Sequence, residues 1–361
     1  MTGPTTAPRL KVALLSFAHT HAHSYLRHLC ARDDVELLTA DPEGAAASDA
    51  GPRGAEFAAD YGVRYVDSYE EALAWQPQAV IICAENSRHL ELVRKAAAVG
   101  ADILCEKPLA TSAIDAKSAV DASDAAAVQL MIAFPVRFSP AYRELKERVR
   151  AGQLGDVLSV VGTNNGWMPT DRSWFTDPEL AGGGALVDHV VHCADLLDDL
   201  LGLPVLSVRA VTNRILHADT GVRVETGGMV NLTYDGGIIA TIDCSWSQPA
   251  SAPTWGGLTL QVTGTKGSIK IDPFASHVGG YDSRGALWLP FGADLDALML
   301  ERFLDMVQTG DMTGADGRGG LRTVQIVNAA QESARTGQPV RLRSEERTVR
   351  TLREQAQEQV H

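Results

Sequence analysis

Residues 11–23 read KVALLSFAHTHAH, an apolar run followed by a short loop and the polar start of a helix-like segment. The run Val12–Phe17 predicts a buried strand, and later apolar segments at helical spacing predict helices between further strands. Those further strands are predicted at Val35–Ala40, Ala79–Ala84, Asp102–Cys105 and Val128–Ala133. Because the runs are continuously apolar rather than alternating, they indicate a parallel sheet with helices on both faces, which binds ligands outside the carboxyl ends of its strands.

The second half of the chain has a different pattern. A charged helix is predicted at Pro140–Arg150, and a glycine-rich loop leads into a helix at about Ala185–Leu201. Longer strands with hairpin turns follow at Val208–Leu216, Val222–Tyr234, Ile238–Trp246 and Leu258–Thr263, and closing helices at about Asp294–Gln308 and Arg318–Arg335. These turns predict an antiparallel sheet. The expected fold class is therefore α/β, with a frayed N-terminus (1–9), a first domain (10–135), a second domain (136–343) and a charged tail (344–361).

Composition and net charge exclude several classes of protein. The 361 residues suit two domains, and 45% hydrophobic with 21% charged residues exclude a fibrous repeat or a disordered acidic protein. A net charge of −13 argues against binding nucleic acid or an anionic membrane. No apolar stretch approaches the roughly 20 residues of a membrane span, and no signal peptide is evident. Five scattered cysteines without CxxC spacing fit a cytoplasmic protein.

The loop after the first strand departs from a dinucleotide fingerprint. That pattern would place glycine at three positions that hold Ser16, Ala18 and His21, of which only His21 is large. Asp41 follows the second strand 25 residues after Ser16, near the roughly 20 expected for a carboxylate that binds the ribose diol. An ordinary strand-end turn explains Asp41 equally well.

The same loop contains His19, His21 and His23. A His-x-His sequence after a first strand can place two imidazoles on one divalent ion, as in metal-dependent hydrolases. The alternative is a loop at the start of a helix, whose imidazoles hydrogen-bond phosphates or backbone. No paired His/Asp cluster in a barrel-like context accompanies the three histidines, so no metal is predicted.

Two further motifs carry candidate chemistry. Lys107, in Glu106-Lys107-Pro108, ends the fifth strand on the ligand side, although a surface lysine in a turn is the simpler alternative. The stretch DPELAGGGALVDHVVH (177–192) places Asp188 and His192 four residues apart, on one helix face. His192 suits a general base and Asp188 a group that holds a substrate hydroxyl, although such pairs also occur as plain helix contacts. His189 points about 100° away and is expected in packing.

Together these motifs resemble the Gfo/Idh/MocA oxidoreductases, named for glucose–fructose oxidoreductase and inositol dehydrogenase. The resemblance rests on EKP at 106–108, RFSP at 137–140, PELAGGG at 178–184 with Asp188 and His192, and SARTG at 333–337. It implies an N-terminal Rossmann domain and a C-terminal α/β domain with a large, open, mostly antiparallel sheet. It also implies homodimers or homotetramers built on that sheet.

The resemblance implies catalytic roles for Lys107, Asp188 and His192. A hydroxyl of a sugar, polyol or cyclitol would lie between Lys107 and His192 while its carbon gives hydride to the nicotinamide, and Asp188 would orient the substrate. The resemblance also implies a cis Lys107–Pro108 bond. Two other functions stay open: a ligand-sensing or partner-binding member that has lost turnover, and a metal-assisted hydrolase or lyase that uses the three histidines.

The remaining expected contacts follow from the same resemblance. The residues expected to bind the cofactor are Ser16, Phe17, Ala18, His19, His21, Asp41, Asn86, His89, Glu106 and Lys107. NAD is favoured over NADP because no basic residue directly follows Asp41. The residues expected to bind substrate are Arg137, Trp167, Arg172, Trp174 and His189, although packing or dimer contacts explain Trp167, Arg172 and Trp174 at least as well.

Overall fold

The computed structural model describes residues 8–46, 51–312 and 314–342, so the tail predicted at 344–361 lies outside the described residues. The chain forms two compact units. The first comprises residues 1–133, 169–182 and 296–321, and the second comprises residues 134–168, 183–295 and 322–361. The division at residue 133 is close to the predicted boundary after residue 135. The two later segments of the first unit were not anticipated from the sequence.

Strands and helices alternate over the first 132 residues. The elements are β1 (Leu10–Leu15), α1 (His21–Cys30), β2 (Val35–Ala40), α2 (Gly54–Asp60), β3 (Arg64–Val66), α3 (Tyr69–Ala74), β4 (Ala79–Ile82), α4 (His89–Ala98), β5 (Asp102–Cys105), α5 (Ala113–Ala126) and β6 (Leu130–Ile132). The bounds predicted for β2 and β5 are confirmed, whereas the three-residue strand β3 was not predicted.

The remaining elements follow in chain order. They are α6 (Pro140–Arg150), β7 (Val157–Gly166), α7 (Pro178–Ala181), α8 (Ala185–Leu201), β8 (Val205–Asn213), β9 (Gly227–Tyr234), β10 (Ile239–Ser245), β11 (Gly256–Gly264), β12 (Gly267–Ile271), β13 (His277–Asp282), β14 (Gly285–Pro290), α9 (Leu295–Thr309), β15 (Ala315–Asp316), α10 (Gly317–Thr336) and β16 (Val340–Arg341). No helix in the described part of the chain is long and apolar enough to cross a membrane.

The sheet of the first unit has seven strands in the order β15-β6-β5-β4-β1-β2-β3. All neighbours are parallel except β15, which pairs antiparallel with β6. The central strands are apolar on both faces and buried, as the continuous apolar runs predicted. Since the strand order reverses between β1 and β4, the loops after these strands flank the crevice in which such sheets bind ligands.

The sheet of the second unit has the order β12-β11-β7-β10-β9-β8-β16 and is antiparallel except for the pair β7–β10. The mostly antiparallel sheet is therefore confirmed, but its interior strand β7 was not predicted. Helix α8 packs on one face of the sheet, where Gly162 of β7 allows close approach of Cys193. On the other face lie exposed apolar side chains, including those of Val161, Val211 and Met229.

Candidate active site

The loop between β1 and α1 keeps a tight turn although it lacks glycine. Ser16 has a φ of 69°, in the left-handed region that glycine normally occupies. Its hydroxyl accepts a hydrogen bond from the backbone N–H of Ala18 at 3.2 Å and donates one to Oδ1 of Asp41 at 3.1 Å. These two bonds hold Ser16 in the unfavourable conformation, so the turn that a dinucleotide site requires is retained.

An aromatic pair from the segment 169–182 of the same unit covers this loop. Trp174 donates its indole N–H to the carbonyl oxygen of Ala18 at 3.0 Å and stacks on Phe175, with ring centroids 3.9 Å apart. With Ala181 they form a buried apolar cluster around Ala18. Trp174 was expected to bind substrate, and it lies against the loop between β1 and α1.

The three histidines of this region do not lie together. His19 Nε2 lies 3.7 Å from Oε2 of Glu106, and His21 Nδ1 lies 2.9 Å from Oε1 of the same carboxylate. His23 instead contacts the hydroxyl of Tyr61 through its Nδ1. The three-histidine metal cluster considered from the sequence is therefore not formed, and Glu106 joins the first two histidines in place of His23.

Glu106 is a buried carboxylate with several donors around it. It accepts hydrogen bonds from the Tyr25 hydroxyl at 2.5 Å and from the backbone N–H of Lys107 at 3.2 Å. Burial alone would raise the pKa of Glu106, but the charges of His19 and His21 and the hydrogen bonds from His21 and Tyr25 lower it below its ordinary value. Burial lowers the pKa of His21, but the neighbouring Glu106 carboxylate raises it above its ordinary value. Glu106 is thus ionised at neutral pH.

The carboxylate of Asp41 accepts hydrogen bonds from several groups of the protein. Arg53 donates to it twice, from Nη2 to Oδ1 at 2.7 Å and from Nε to Oδ2 at 3.0 Å. The backbone N–H of Gly54 donates to Oδ2 at 3.0 Å, and the hydroxyl of Ser16 donates to Oδ1. Asp41 is completely buried. This arrangement differs from the expectation that Asp41 accepts hydrogen bonds from ribose hydroxyls, because both of its oxygens have donors within the unit.

Asn86 and His89 contact backbone carbonyl groups of neighbouring segments. Asn86 donates from Nδ2 to the carbonyl oxygen of Ala181 at 2.8 Å. The ring nitrogens of His89 face the carbonyl oxygens of Pro108, at 2.8 Å, and Ala84, at 3.1 Å. Burial lowers the pKa of His89. Both residues were expected to bind cofactor, and in the structure they fix neighbouring loops.

Lys107 follows β5 and is buried, with 4% of its surface exposed. The Lys107–Pro108 peptide bond is cis, which confirms the expectation drawn from the resemblance. Hydrogen bonds hold the backbone on both sides of this side chain. The N–H of Lys107 donates to the Glu106 carboxylate, and the carbonyl oxygen of Pro108 faces the His89 ring. Lys107 is therefore a buried ammonium group on a fixed loop at the ligand edge of the first sheet.

Several buried polar atoms of the first unit have no hydrogen-bond partner among the described residues, and three of them bear on ligand binding. They are Glu85 Oε2 and Asn86 Oδ1, which follow β4, and Arg172 Nε. Arg172 is 6% exposed and lies beside Gly51. Because buried polar groups are almost always paired in native proteins, these atoms are open to a polar ligand or to water. Two of them directly follow a strand that borders the crevice.

In the second unit, the glycine loop begins helix α8. Glu225 Oε1 accepts hydrogen bonds from the backbone N–H groups of Gly184, at 2.8 Å, and Leu186, at 3.2 Å. The carbonyl oxygen of Glu225 lies so close to Gly184 that no Cβ fits there. Burial raises the pKa of Glu225 despite these backbone hydrogen bonds. This carboxylate satisfies N–H groups that a helix start leaves open, and glycine permits its approach.

Asp188, on the first turn of α8, is oriented by a residue that sequence reasoning missed. Trp246 donates its indole N–H to Asp188 Oδ2 at 3.1 Å, and His189 Nε2 lies 3.4 Å from the same oxygen. Trp246 is almost completely buried, and so is His189, which was expected both in packing and at the substrate. His192 is half-buried, with its ring centroid 5.8 Å from that of Phe134.

Two residues expected at the substrate have other contacts in the second unit. Arg137 forms a bidentate ion pair with Asp195, at 2.7 Å from both Nε and Nη2, and a further ion pair with Asp199 at 3.1 Å. Its guanidinium group is thus held by two carboxylates of the unit, and the expectation that Arg137 binds substrate stays a prediction. Trp167 donates its indole N–H to the carbonyl oxygen of Pro249 at 3.0 Å, and 40% of its surface is exposed.

Comparisons with known proteins agree with this arrangement. Residues 17–134 match the oxidoreductase family with an NAD-binding Rossmann fold, and residues 142–270 match the GFO/IDH/MocA C-terminal domain. The D-xylose 1-dehydrogenase (NADP(+)) 2 of Haloferax volcanii is 30% identical over 285 residues, which are 76% of this chain and 84% of that protein. The chain belongs to the Gfo/Idh/MocA oxidoreductase family.

Two other proteins are similar to this Gfo/Idh/MocA oxidoreductase over most of their length. The D-apiose dehydrogenase of Paraburkholderia graminis is 27% identical over 365 residues, covering 94% of this chain and 92% of that protein. The crystal structure of GenD2 from gentamicin A biosynthesis, in complex with NAD, superposes with a TM-score of 0.82 at 25% identity, covering 95% of this chain and 99% of that one. The first unit is therefore an NAD-binding Rossmann domain, as the resemblance implied.

Proposed function

We propose that this Gfo/Idh/MocA oxidoreductase transfers hydride between NAD and a hydroxyl or carbonyl carbon of a sugar, polyol or cyclitol. The observation that carries the proposal is that three buried polar atoms of the Rossmann unit, Glu85 Oε2, Asn86 Oδ1 and Arg172 Nε, have no hydrogen-bond partner among the described residues. A dinucleotide with ribose and phosphate groups supplies partners for both the acceptors and the donor. The names of the xylose and apiose dehydrogenases support a sugar-like substrate.

The residues of the Rossmann unit fit the cofactor. The left-handed turn at Ser16 allows the backbone to approach a pyrophosphate, and His19 and His21 bring imidazole N–H groups to the same loop. Arg172 is a further donor for a phosphate, while Phe17 and Ala18 line the loop. When bound, the nicotinamide ring accepts or returns the hydride.

Three side chains are proposed to act on the substrate. The ammonium group of Lys107 stabilises negative charge that develops on the substrate oxygen. His192 takes the hydroxyl proton during oxidation and returns it during reduction, as a general acid–base group. Asp188, held by the indole of Trp246, accepts a hydrogen bond from a substrate hydroxyl and so orients the reacting carbon.

The test begins with calorimetric titration of metal-stripped protein with NADH and NADPH, followed by a turnover screen of aldoses, polyols and cyclitols. In Lys107→Met and His192→Asn we expect turnover to fall by about 10²- to 10⁴-fold, with NADH affinity within twofold of wild type. Lys117→Met and His28→Asn, matched changes at positions outside the proposed site, should leave turnover unchanged. Absence of NADH binding, or wild-type turnover in either active-site variant, would exclude the corresponding part of the proposal.

We further propose a homodimer or homotetramer built on the exposed face of the second sheet. Val211 and Met229 are direct cross-strand partners there, 63% and 44% exposed, and Val161 is 51% exposed. Exposed apolar residues on one face of a sheet are typical of protein interfaces. A Val211→Glu, Met229→Glu double variant should run as a monomer in light-scattering chromatography, whereas Val278→Glu on the hairpin β13–β14 should not change the mass. An unchanged oligomer in the double variant would exclude this face.

The proposed location is the cytoplasm. All five cysteines are free thiols, and four of them are buried. Reduced thiols are typical of a reducing compartment. Fractionation of the source cells would test this assignment, with recovery outside the cytoplasmic fraction counting against it.

A further inference from the structure

We infer that His19, His21 and Glu106 form a binding site for a divalent transition-metal ion, with Zn²⁺ or Co²⁺ as the fitting class. One potential ligand atom from each residue lies within 4.8 Å of the other two. All three residues belong to the Rossmann unit. Hydride transfer between NAD and a hydroxyl carbon needs no metal, so this site goes beyond the proposed function.

The distances between the ligand atoms suit one small ion. Two ligands on a tetrahedral zinc ion, each bonded at roughly 2.0–2.1 Å, lie about 3.3 Å apart. The distance from His21 Nδ1 to Glu106 Oε1 is 2.9 Å, and that from His19 Nε2 to Glu106 Oε2 is 3.7 Å. These two values lie on either side of the required separation, but they end on different oxygens of Glu106, so the ion requires either a bidentate carboxylate or a rotation of the ligand side chains.

The donor set also suits this class of ion in its chemistry. Two imidazoles and one carboxylate are the protein ligands of several catalytic zinc sites, whereas Ca²⁺ and Mg²⁺ prefer all-oxygen sites. The ionised carboxylate of Glu106 offsets one of the two positive charges of the ion inside a buried region. The anionic ligand therefore lowers the free-energy cost of burying the charge of a divalent ion.

Neighbouring groups hold the ligands in position. The Tyr25 hydroxyl donates to Glu106 at 2.5 Å, and the ring centroid of His19 lies 5.4 Å from that of Phe175. Such contacts around the ligands fix their orientation and contribute to metal affinity. The side chain of His21 is 31% exposed, whereas those of His19 and Glu106 are buried. The ion can enter from the side of His21, where water or another oxygen completes its coordination.

Coordination displaces the hydrogen bond between His21 Nδ1 and Glu106 Oε1, whose proton the ion replaces, and it has a second cost at His19. The backbone N–H of His21 donates to His19 Nδ1 at 3.2 Å, which leaves the proton of a neutral imidazole on Nε2. A metal ion at Nε2 requires the other tautomer, and this hydrogen bond is then lost. The loss of one neutral hydrogen bond lowers the affinity by about tenfold at most, which does not abolish binding by three ligands.

The test uses the full-length protein, stripped of metal and nucleotide. Titration with CoCl₂ should give the visible absorption of tetrahedral cobalt with one equivalent bound, and ZnCl₂ should displace it. His19→Gln and His21→Gln should each lower the Co²⁺ affinity at least tenfold. The matched control is His23→Gln, since His23 lies in the same loop–helix segment but outside the cluster, and it should bind as wild type does. Absence of the cobalt spectrum in wild type, or wild-type affinity in both glutamine variants, would overturn the site.

Two further measurements separate the possible failures. Glu106→Gln removes the charge of the site, and its circular dichroism spectrum shows whether the variant has folded. Because His21 is partly exposed, His21→Gln keeps the test valid even if the buried Glu106→Gln variant does not fold. Titration with NADH is done on a separate metal-free sample, because His19 and His21 are also proposed to face the cofactor. Cobalt binding without NADH binding would support this site and refute the proposed function, and the reverse result would do the opposite.

Discussion

The ion pair between Asp41 and Arg53 allows a quantitative prediction. In the variant Arg53→Met, a buried carboxylate loses its two guanidinium hydrogen bonds, of 2.7 and 3.0 Å. The side chains of Asp41 and Arg53 are 0% and 4% exposed, so water cannot replace the lost donors. Breaking a buried pair by removing one partner costs roughly 3–5 kcal/mol.

We expect about 3 kcal/mol for Arg53→Met, the lower end of that range, because Gly54 and Ser16 still donate to Asp41. For domains of this size, such a loss lowers Tm by roughly 6–12 °C. Calorimetry would measure the shift. Arg32→Met is the matched control, since its ion pair with Asp34 is exposed and worth about 1 kcal/mol or less.

The same pair makes a prediction about cofactor recognition. Since both oxygens of Asp41 have donors inside the unit, Asp41→Asn should lower Tm but change the ratio of NADH to NADPH affinity less than threefold. Calorimetric titration with both nucleotides measures this ratio. A stable Asp41→Asn variant with a selective loss of NADH affinity would refute this reasoning and restore Asp41 as the residue that binds the ribose diol.

Three further predictions concern other parts of the molecule. Ser16→Ala should be less stable than Ser16→Gly by about 1 kcal/mol in urea unfolding, because both lose the hydroxyl but only alanine strains at positive φ; equal stabilities would count against the strain. Trp246→Phe should lower kcat/KM about tenfold with little change in NADH affinity, because Asp188 loses its indole donor; wild-type kcat/KM would remove Trp246 from substrate positioning. Burial alone would raise the pKa of Asp199, but Arg137, Lys146 and Tyr142 hold this pKa below its ordinary value of 3.8. The ionised carboxylate of Asp199 therefore stabilises the folded protein above pH 3.8, and this stabilisation is lost as the pH falls below that value. Asp199→Asn should therefore flatten the fall in unfolding free energy measured between about pH 5 and 3, and an unchanged slope would contradict the assignment.

Elements with strong local patterns could be predicted from the sequence. The bounds of β2, β5 and α8 agree with the apolar runs that predicted them. In each of these elements the apolar side chains are mostly buried, as a continuous apolar run predicts. Strand β7 was missed because its second half reads Gly-Thr-Asn-Asn-Gly, which has little intrinsic preference for a strand. Its position between β11 and β10 supplies hydrogen-bond partners along both edges, and this pairing outweighs local preference.

The motifs of the candidate site were visible in the sequence, but their partners were not. Glu106 and His21 are 85 residues apart in the chain, and Trp246 lies 58 residues from Asp188. Arg53, which donates hydrogen bonds to the Asp41 carboxylate, lies only 12 residues after Asp41 but is not adjacent to it in sequence. Such contacts depend on the tertiary fold rather than on spacing. Sequence reasoning therefore predicted which loops carry the chemistry, and the structure was needed to show which side chains orient one another.

The division of the Rossmann unit into three chain segments has a consequence for its synthesis. The unit takes residues 169–182 and 296–321 in addition to the first 133 residues, so its aromatic cover at Trp174 and its edge strand β15 emerge late from the ribosome. At typical elongation rates, the interval between residues 133 and 321 lasts on the order of ten to forty seconds. During that interval the nascent nucleotide-binding sheet has an unpaired edge at β6. A fragment or chimera cut near residue 135 would keep that edge open permanently and would be prone to aggregate.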